Sequence, residues 1–210
     1  MRRSASDRRT GQTDGRPTSL RSKTVESAPR YPLAFNEGVW NQEGRTITAD
    51  EIDRLPSTFR ALSASGKRAK LAGRRLFQTV LRQDDDDVTI DACIGIEALL
   101  GEQHDELVHR MGLRASVALA PSGWDPAMAY DLLKKVYGHR SKIVHGTEPA
   151  NATITVAEST LAVSRVAVRL LRALLESQLN SDPPWTTSAL DAQLFAALVP
   201  RTPGGSDPSK

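Results

Sequence analysis

The chain has 210 residues, 39% of them apolar, and a formal charge of +3. That length fits one globular domain with tails, and the apolar share suffices for a core. Residues 1–30 hold eight Arg or Lys against Asp7, Asp14 and Glu26, or +5, so residues 31–210 come to −2 and the high pI supports no basic nucleic-acid-binding domain. The single Cys93, set in an apolar run, excludes an intramolecular disulfide and a cysteine zinc cluster and suits a reducing cytoplasm. No stretch approaches the roughly 20 apolar residues of a membrane span, and the arginine-rich start lacks the apolar segment of a signal peptide. A soluble cytoplasmic protein is expected. The Arg- and Ser-rich start faintly resembles an organelle transit peptide, but plain disorder is the preferred reading.

Residues 1–30 carry almost no large apolar groups and are read as a disordered basic tail, since they cannot bury enough surface to offset the entropy of ordering. Residues 31–62 form a lead-in: an extended stretch with Tyr31, Leu33, Phe35, Val39 and Trp40, then a short helix. Thr48 with Glu51 makes a capping box, and Pro56 is expected to stop the helix after Leu55. A helical bundle is assigned to residues 63–180. An amphipathic helix is expected from Ser63 to Arg82, then a solvated turn at Asp84–Asp87 whose last member caps a central apolar helix over Val88–Leu100.

Leu107, Met111, Leu113, Val117 and Leu119 define the next helix, which ends at Pro121-Ser-Gly123. Asp125-Pro126 starts another, aspartate as cap and proline in the first turn, and Gly146 is placed to end it. The run from Val156 to Leu179 is the longest helical signal, stopped by Ser181-Asp-Pro-Pro184. In residues 181–210 a short helix from Ser188 to Leu198 precedes a C-terminal tail expected to be disordered from residue 200. No strand alternation or hairpin signal stands out, so the fold class is all-α, an antiparallel bundle of four to five core helices.

The chemistry-bearing string is Arg140-Ser-Lys-Ile-Val-His145, at the end of the helix begun at Asp125. It pairs a fixed cation with a proton carrier that titrates near neutrality. Five residues along an ideal helix rotate by about 500°, so the two side chains stand about 140° apart. They flank a face without stacking on it. Two such helices around a twofold axis would set two Arg and two His around one cleft, which favours a homodimeric site.

With Ile96-Glu-Ala-Leu-Leu100 upstream, Tyr137-Gly-His-Arg-Ser-Lys-Ile-Val-His-Gly146, and a long apolar helix after it, the chain resembles the Apea-like branch of the HEPN domains over about residues 70–180. The family's hallmark is an Arg, four to six residues, then a His, often as Tyr-x-x-Arg-Ser-x-Ile-x-His-Gly. The resemblance implies a dimerising antiparallel bundle, with many members acting as metal-independent endoribonucleases. Arg140 and His145 would be the catalytic pair and RNA the partner, in a bacterial defence or toxin setting. Ser141 stands where many active members carry Asn, Asp or His.

RNA supplies its own nucleophile, so cleavage needs a base for the 2′-OH proton, an acid for the 5′-oxygen and positive charge on the phosphorane. His145 suits either proton role and Arg140 the phosphate oxygens, with a 2′,3′-cyclic phosphate and a 5′-OH as products and no metal or cofactor called for. The structural alternative has His145 capping the helix end, where a cation is favoured, and Arg140 in an ion pair. Glu97, among apolar neighbours, needs a partner. It either orients Arg140 or lies at the solvent edge. Tyr137 is a core tyrosine or a contact to base or phosphate.

His139 is expected to be exposed, and His104 and His109, with no third ligand, to be surface residues forming no metal site. The basic tail either gathers RNA through phosphate contacts or only aids solubility. No Gly-rich phosphate loop, Gly-x-Ser-x-Gly elbow or zinc pattern occurs. The rival readings are a non-catalytic helical dimerisation or scaffold module and, more weakly, a nucleotide-sensing domain using the same polar cleft.

Overall fold

Helix α1 (Ala49–Ala64) opens on the expected capping box: Thr48 Oγ1 accepts the Glu51 N–H at 3.3 Å, and the Glu51 carboxylate accepts the Thr48 N–H at 3.0 Å. The computed structural model describes residues 48–101, 107–147, 152–156 and 158–198. The expectations for the basic tail, for residues 31–45, for His104 and for the C-terminal tail lie outside them. Pro56 does not stop α1, which carries it in its interior for two further turns. No residue of α1 is buried, so water reaches the Ile52 carbonyl that the missing proline N–H leaves unbonded. The Ser57 hydroxyl donates to the Arg54 carbonyl at 2.8 Å beside it.

The helix expected over Ser63–Arg82 is split. Ser65 and Gly66, both extended, separate α1 from α2 (Lys67–Leu81), and the Ser65 hydroxyl closes α1 by donating to the Leu62 carbonyl at 2.7 Å. Helix α3 (Asp85–Leu100) is capped by the first aspartate of its run, not the last. Asp84 Oδ1 accepts the N–H groups of Asp86 and Asp87 at 2.9 and 3.1 Å. Asp85, Asp86 and Asp87 thereby fill the first turn, where the helix dipole favours carboxylates.

Helix α4 (Leu107–Leu119) passes through a 3₁₀ turn (Ala120–Ser122) to Gly123, at φ +82°. Asp125 then accepts the Met128 N–H at 2.7 Å and Pro126 opens α5 (Pro126–Val144), as expected. An unexpected hairpin follows. Strands β1 (Thr153–Val156) and β2 (Ser159–Ala162) pair antiparallel, Ile154 opposite Leu161. The Thr-Ile-Thr-Val run is rich in β-branched side chains that lose rotamer freedom in a helix. The helix expected from Val156 therefore begins only at Val163, as α6 (Val163–Asn180). Helix α7 (Thr187–Leu198) completes the chain's described part.

The bundle is all-α apart from this hairpin, and α2 to α6 enclose its core. Helix α3 lies centrally and buries Ala92, Cys93, Ile96, Leu99 and Leu100 against α2, α5 and α6. Helix α6 presents Val163, Val166, Ala167, Leu170, Leu171, Leu174 and Leu175, an apolar stripe at helical spacing. A Cβ on Gly95 would come within 2.7 Å of a Leu171 methyl, so glycine sets how closely α3 and α6 approach.

Charged residues also bind the layers. Buried Asp91 of α3 accepts from Arg75 and Arg82 at 2.7 Å each. Arg114 of α4, 1% exposed, takes both carboxylate oxygens of Asp191 at 2.7 and 2.6 Å and the Leu100 carbonyl at 2.7 Å. These bonds tie α7 and the end of α3 to α4. No helix among the described residues is long and apolar enough to cross a membrane.

Candidate functional site

The last turn of α5 closes as a Schellman motif. Gly146, at φ +67°, donates to the Ile143 carbonyl at 3.0 Å, and Thr147 donates to the Lys142 carbonyl at 2.9 Å. A glycine is needed there because a Cβ is disfavoured at that φ. His145 is the C-cap residue, its N–H bonded to the Ser141 carbonyl at 3.1 Å, and both residues are exposed. Among the described residues the exposed His145 ring takes no hydrogen bond or ion pair.

One turn back, α5 meets α3. Arg140 Nη2 lies 3.7 Å from Glu97 Oε1, within ion-pair range but longer than a hydrogen bond. The side chains of Arg140 and Glu97 are 34% and 29% exposed. Arg140 Nε is buried and has no hydrogen-bond partner. A guanidinium held by one long carboxylate contact keeps donors available for another anion.

Tyr137, 4% exposed, packs beneath this pair and donates its hydroxyl to the Cys93 carbonyl at 3.1 Å. Burial holds the Tyr137 phenol well above the usual tyrosine range, Cys93 and Glu97 adding to the effect and Arg140 opposing it. Burial likewise pushes the Cys93 thiol up to about 12, again raised by Glu97 and lowered by Arg140. The seam is buried at Tyr137 and Cys93 and opens to solvent at Arg140 and Glu97.

Glu97, Tyr137 and Arg140 are thus gathered at the seam, whereas Ser141 and His145 stand on the exposed final turn. The rotation of about 140° between Arg140 and His145 persists because α5 stays helical to Val144.

His139 overturns its expected exposure. It is 7% exposed, and its Nε2 lies 3.7 Å from Asp86 Oδ1. The unexpected hairpin covers this side of α5, where Thr153, Ile154 and Thr155 border the same pocket as His139. The available signals were the spacing of Lys135, His139 and Lys142 on one helical face and the β-branched run at residues 153–156. His109 is exposed and hydrogen-bonded to the Tyr130 hydroxyl at 2.8 Å. Among the described residues no group of three or more His, Cys, Asp or Glu is placed to hold a metal.

Comparison with known proteins gives no match: no family model, no curated protein and no solved structure proves similar to this chain.

Proposed function

We propose that this is an HEPN-type RNA-binding protein of the Apea-like kind, acting as a metal-independent endoribonuclease in a cytoplasmic defence or toxin setting. The observation that carries the reading is the end of α5. Arg140 has a buried, unbonded Nε and only a 3.7 Å contact to Glu97, and the His145 imidazole stands open five residues on.

The chemistry follows from those two groups. One His145 takes the 2′-OH proton as the O2′ attacks phosphorus. The P–O5′ bond breaks, and the proton that this imidazole has taken up passes through water to the 5′-oxygen. Arg140 binds the non-bridging oxygens as charge builds on the phosphorane. The products are a 2′,3′-cyclic phosphate and a 5′-OH. Because Arg140 and His145 diverge around α5, the site is proposed as a composite of two copies of the chain. Ser141, at the rim of that turn, is within reach of the same substrate.

The experiment compares wild type with Arg140→Ala and His145→Ala on a mixed RNA in EDTA, with circular dichroism confirming the fold. Loss of cleavage in folded variants supports the reading. No cleavage by clean wild type, or a chain that stays monomeric at high concentration, contradicts it. The second reading, a non-catalytic dimerisation or scaffold module, draws on the Arg140–Glu97 ion pair and the Schellman end, both of which stabilise a helix terminus without chemistry. It predicts destabilised variants and silent wild type.

A further inference from the structure

Helix α5 and strand β1 enclose a second polar feature on the far side of α5 from Arg140. It is a pocket of about 380 Å³ lined by Lys135, Gly138, His139 and Lys142 of α5, by Thr153, Ile154 and Thr155 of β1, and by Val163 at the start of α6. The four α5 residues are spaced i, i+3, i+4 and i+7, so they form one stripe. The side-chain polar groups of the lining are two ammonium groups and a 93% buried imidazole from α5 and two hydroxyls from β1, and no carboxylate lines the pocket.

Two of the acids nearby have partners. Asp86 faces His139 at 3.7 Å, and Asp85 accepts the Ser164 hydroxyl at 2.7 Å. A Cβ built on Gly138 meets nothing within 4 Å, so the floor of the pocket is open to a ligand that comes close to the helix backbone. Donors and cations without a lining acid select an anion, and separated lysines suit the oxygens of a phosphodiester.

The stripe also leads to the proposed reacting centre. At about 100° per residue, His145 projects within about 20° of Gly138 and about 4.5 Å beyond Lys142 along the axis, whereas Arg140 projects about 100° to the other side of His139. A strand lying on the stripe therefore meets the His145 of the same chain and not its Arg140.

We propose that this pocket is a phosphate subsite for the RNA strand, holding the phosphodiester that flanks the one presented to His145. The inference rests on the reading of the chain as an RNA-cleaving protein. It assigns Lys135 and Lys142 as substrate-binding groups and predicts that a strand bound along one copy is completed by the Arg140 of the other.

The test uses the full chain, an RNA oligonucleotide and its uncleavable 2′-deoxy counterpart, over a salt series. Lys135→Ala with Lys142→Ala is expected to weaken binding of the 2′-deoxy strand about tenfold. It should make the slope of log K against log salt shallower by about 0.7, the single-strand value for one phosphate. KM for the RNA rises with kcat nearly unchanged, because a flanking phosphate is held alike before and during reaction. The pair Lys135→Arg and Lys142→Arg restores affinity and slope. An arginine pair as weak as the alanine pair overturns the subsite, since the lysines would then act through local structure and not charge. Alanine variants that bind and cleave like wild type, while His145→Ala is dead, overturn the subsite and leave the ribonuclease reading standing. A wild type that binds neither strand overturns both.

Discussion

Arg114 is enclosed by Asp191: both carboxylate oxygens lie within 2.7 Å of a guanidinium that is 1% exposed. A charge so buried depends on its partner, and removing one member of such a pair costs about 3 kcal/mol or more. Asp191→Asn is therefore expected to lower the stability at pH 7 by about that amount, read as a shifted urea midpoint at unchanged slope.

The same pair sets the acid limit. The hydrogen bond from Arg114 is the largest cause holding the Asp191 carboxyl below the usual carboxylate range, with burial opposing it. A depressed folded value means the unfolded chain binds the proton first as pH falls. The stabilisation is whole above the unfolded value, near about 3.9, and is lost as pH drops through the folded one. Unfolding followed from pH 5 down to pH 2.5 should show a steeper loss in wild type than in Asp191→Asn.

Two glycines make opposite predictions. Gly95→Ala puts a methyl within 2.7 Å of Leu171 at the α3–α6 contact, and overpacking of that kind outweighs the gain of about 1 kcal/mol in helix propensity. A net loss of about 1 kcal/mol is expected. Gly138→Ala meets nothing within 4 Å and should stabilise α5 by up to about 1 kcal/mol. Thermal melts of the two variants decide it.

Cys93 should be chemically silent in the fold. Its thiol is pushed up to about 12, chiefly by burial, so the reactive thiolate is almost absent at neutral pH and the sulfur is screened from reagent. Iodoacetamide is expected to label the protein only in denaturant. Rapid labelling in native buffer would show that the α3–α5 seam opens.

Glu97→Gln separates orientation from stability. The pair with Arg140 is one-third exposed and 3.7 Å long, so its loss should change stability by less than about 1 kcal/mol. If Glu97 holds Arg140 for phosphate, cleavage falls about tenfold in a protein that melts normally. Unchanged cleavage would place Glu97 at the solvent edge only.

What could be read from the sequence was what depends on near neighbours. The Thr48–Glu51 capping box, the Asp125-Pro126 start and the Gly146 stop are local hydrogen-bond and φ requirements, and each stands where the residues put it. The Glu97–Arg140 contact was also legible, because a carboxylate among apolar residues needs a cation. Pro56 misleads because whether a proline ends a helix depends on who solvates the freed carbonyl, and α1 buries none of its residues. Its Phe59 is 72% exposed. The β1–β2 hairpin escaped because four residues give too few alternations to outweigh the apolar run behind them. His139 followed from that, since its cover comes from the hairpin and Asp86, both distant in sequence.

The central claim is that Arg140 of one copy and His145 of another act on one phosphodiester. The most direct measurement mixes folded Arg140→Ala and His145→Ala chains, each inactive alone, after brief co-refolding, and follows RNA cleavage and the 2′,3′-cyclic phosphate end. Partial recovery of activity, tracking the fraction of mixed dimer, is the predicted result. A mixture as inactive as its parts, beside an active wild type, would contradict the composite site.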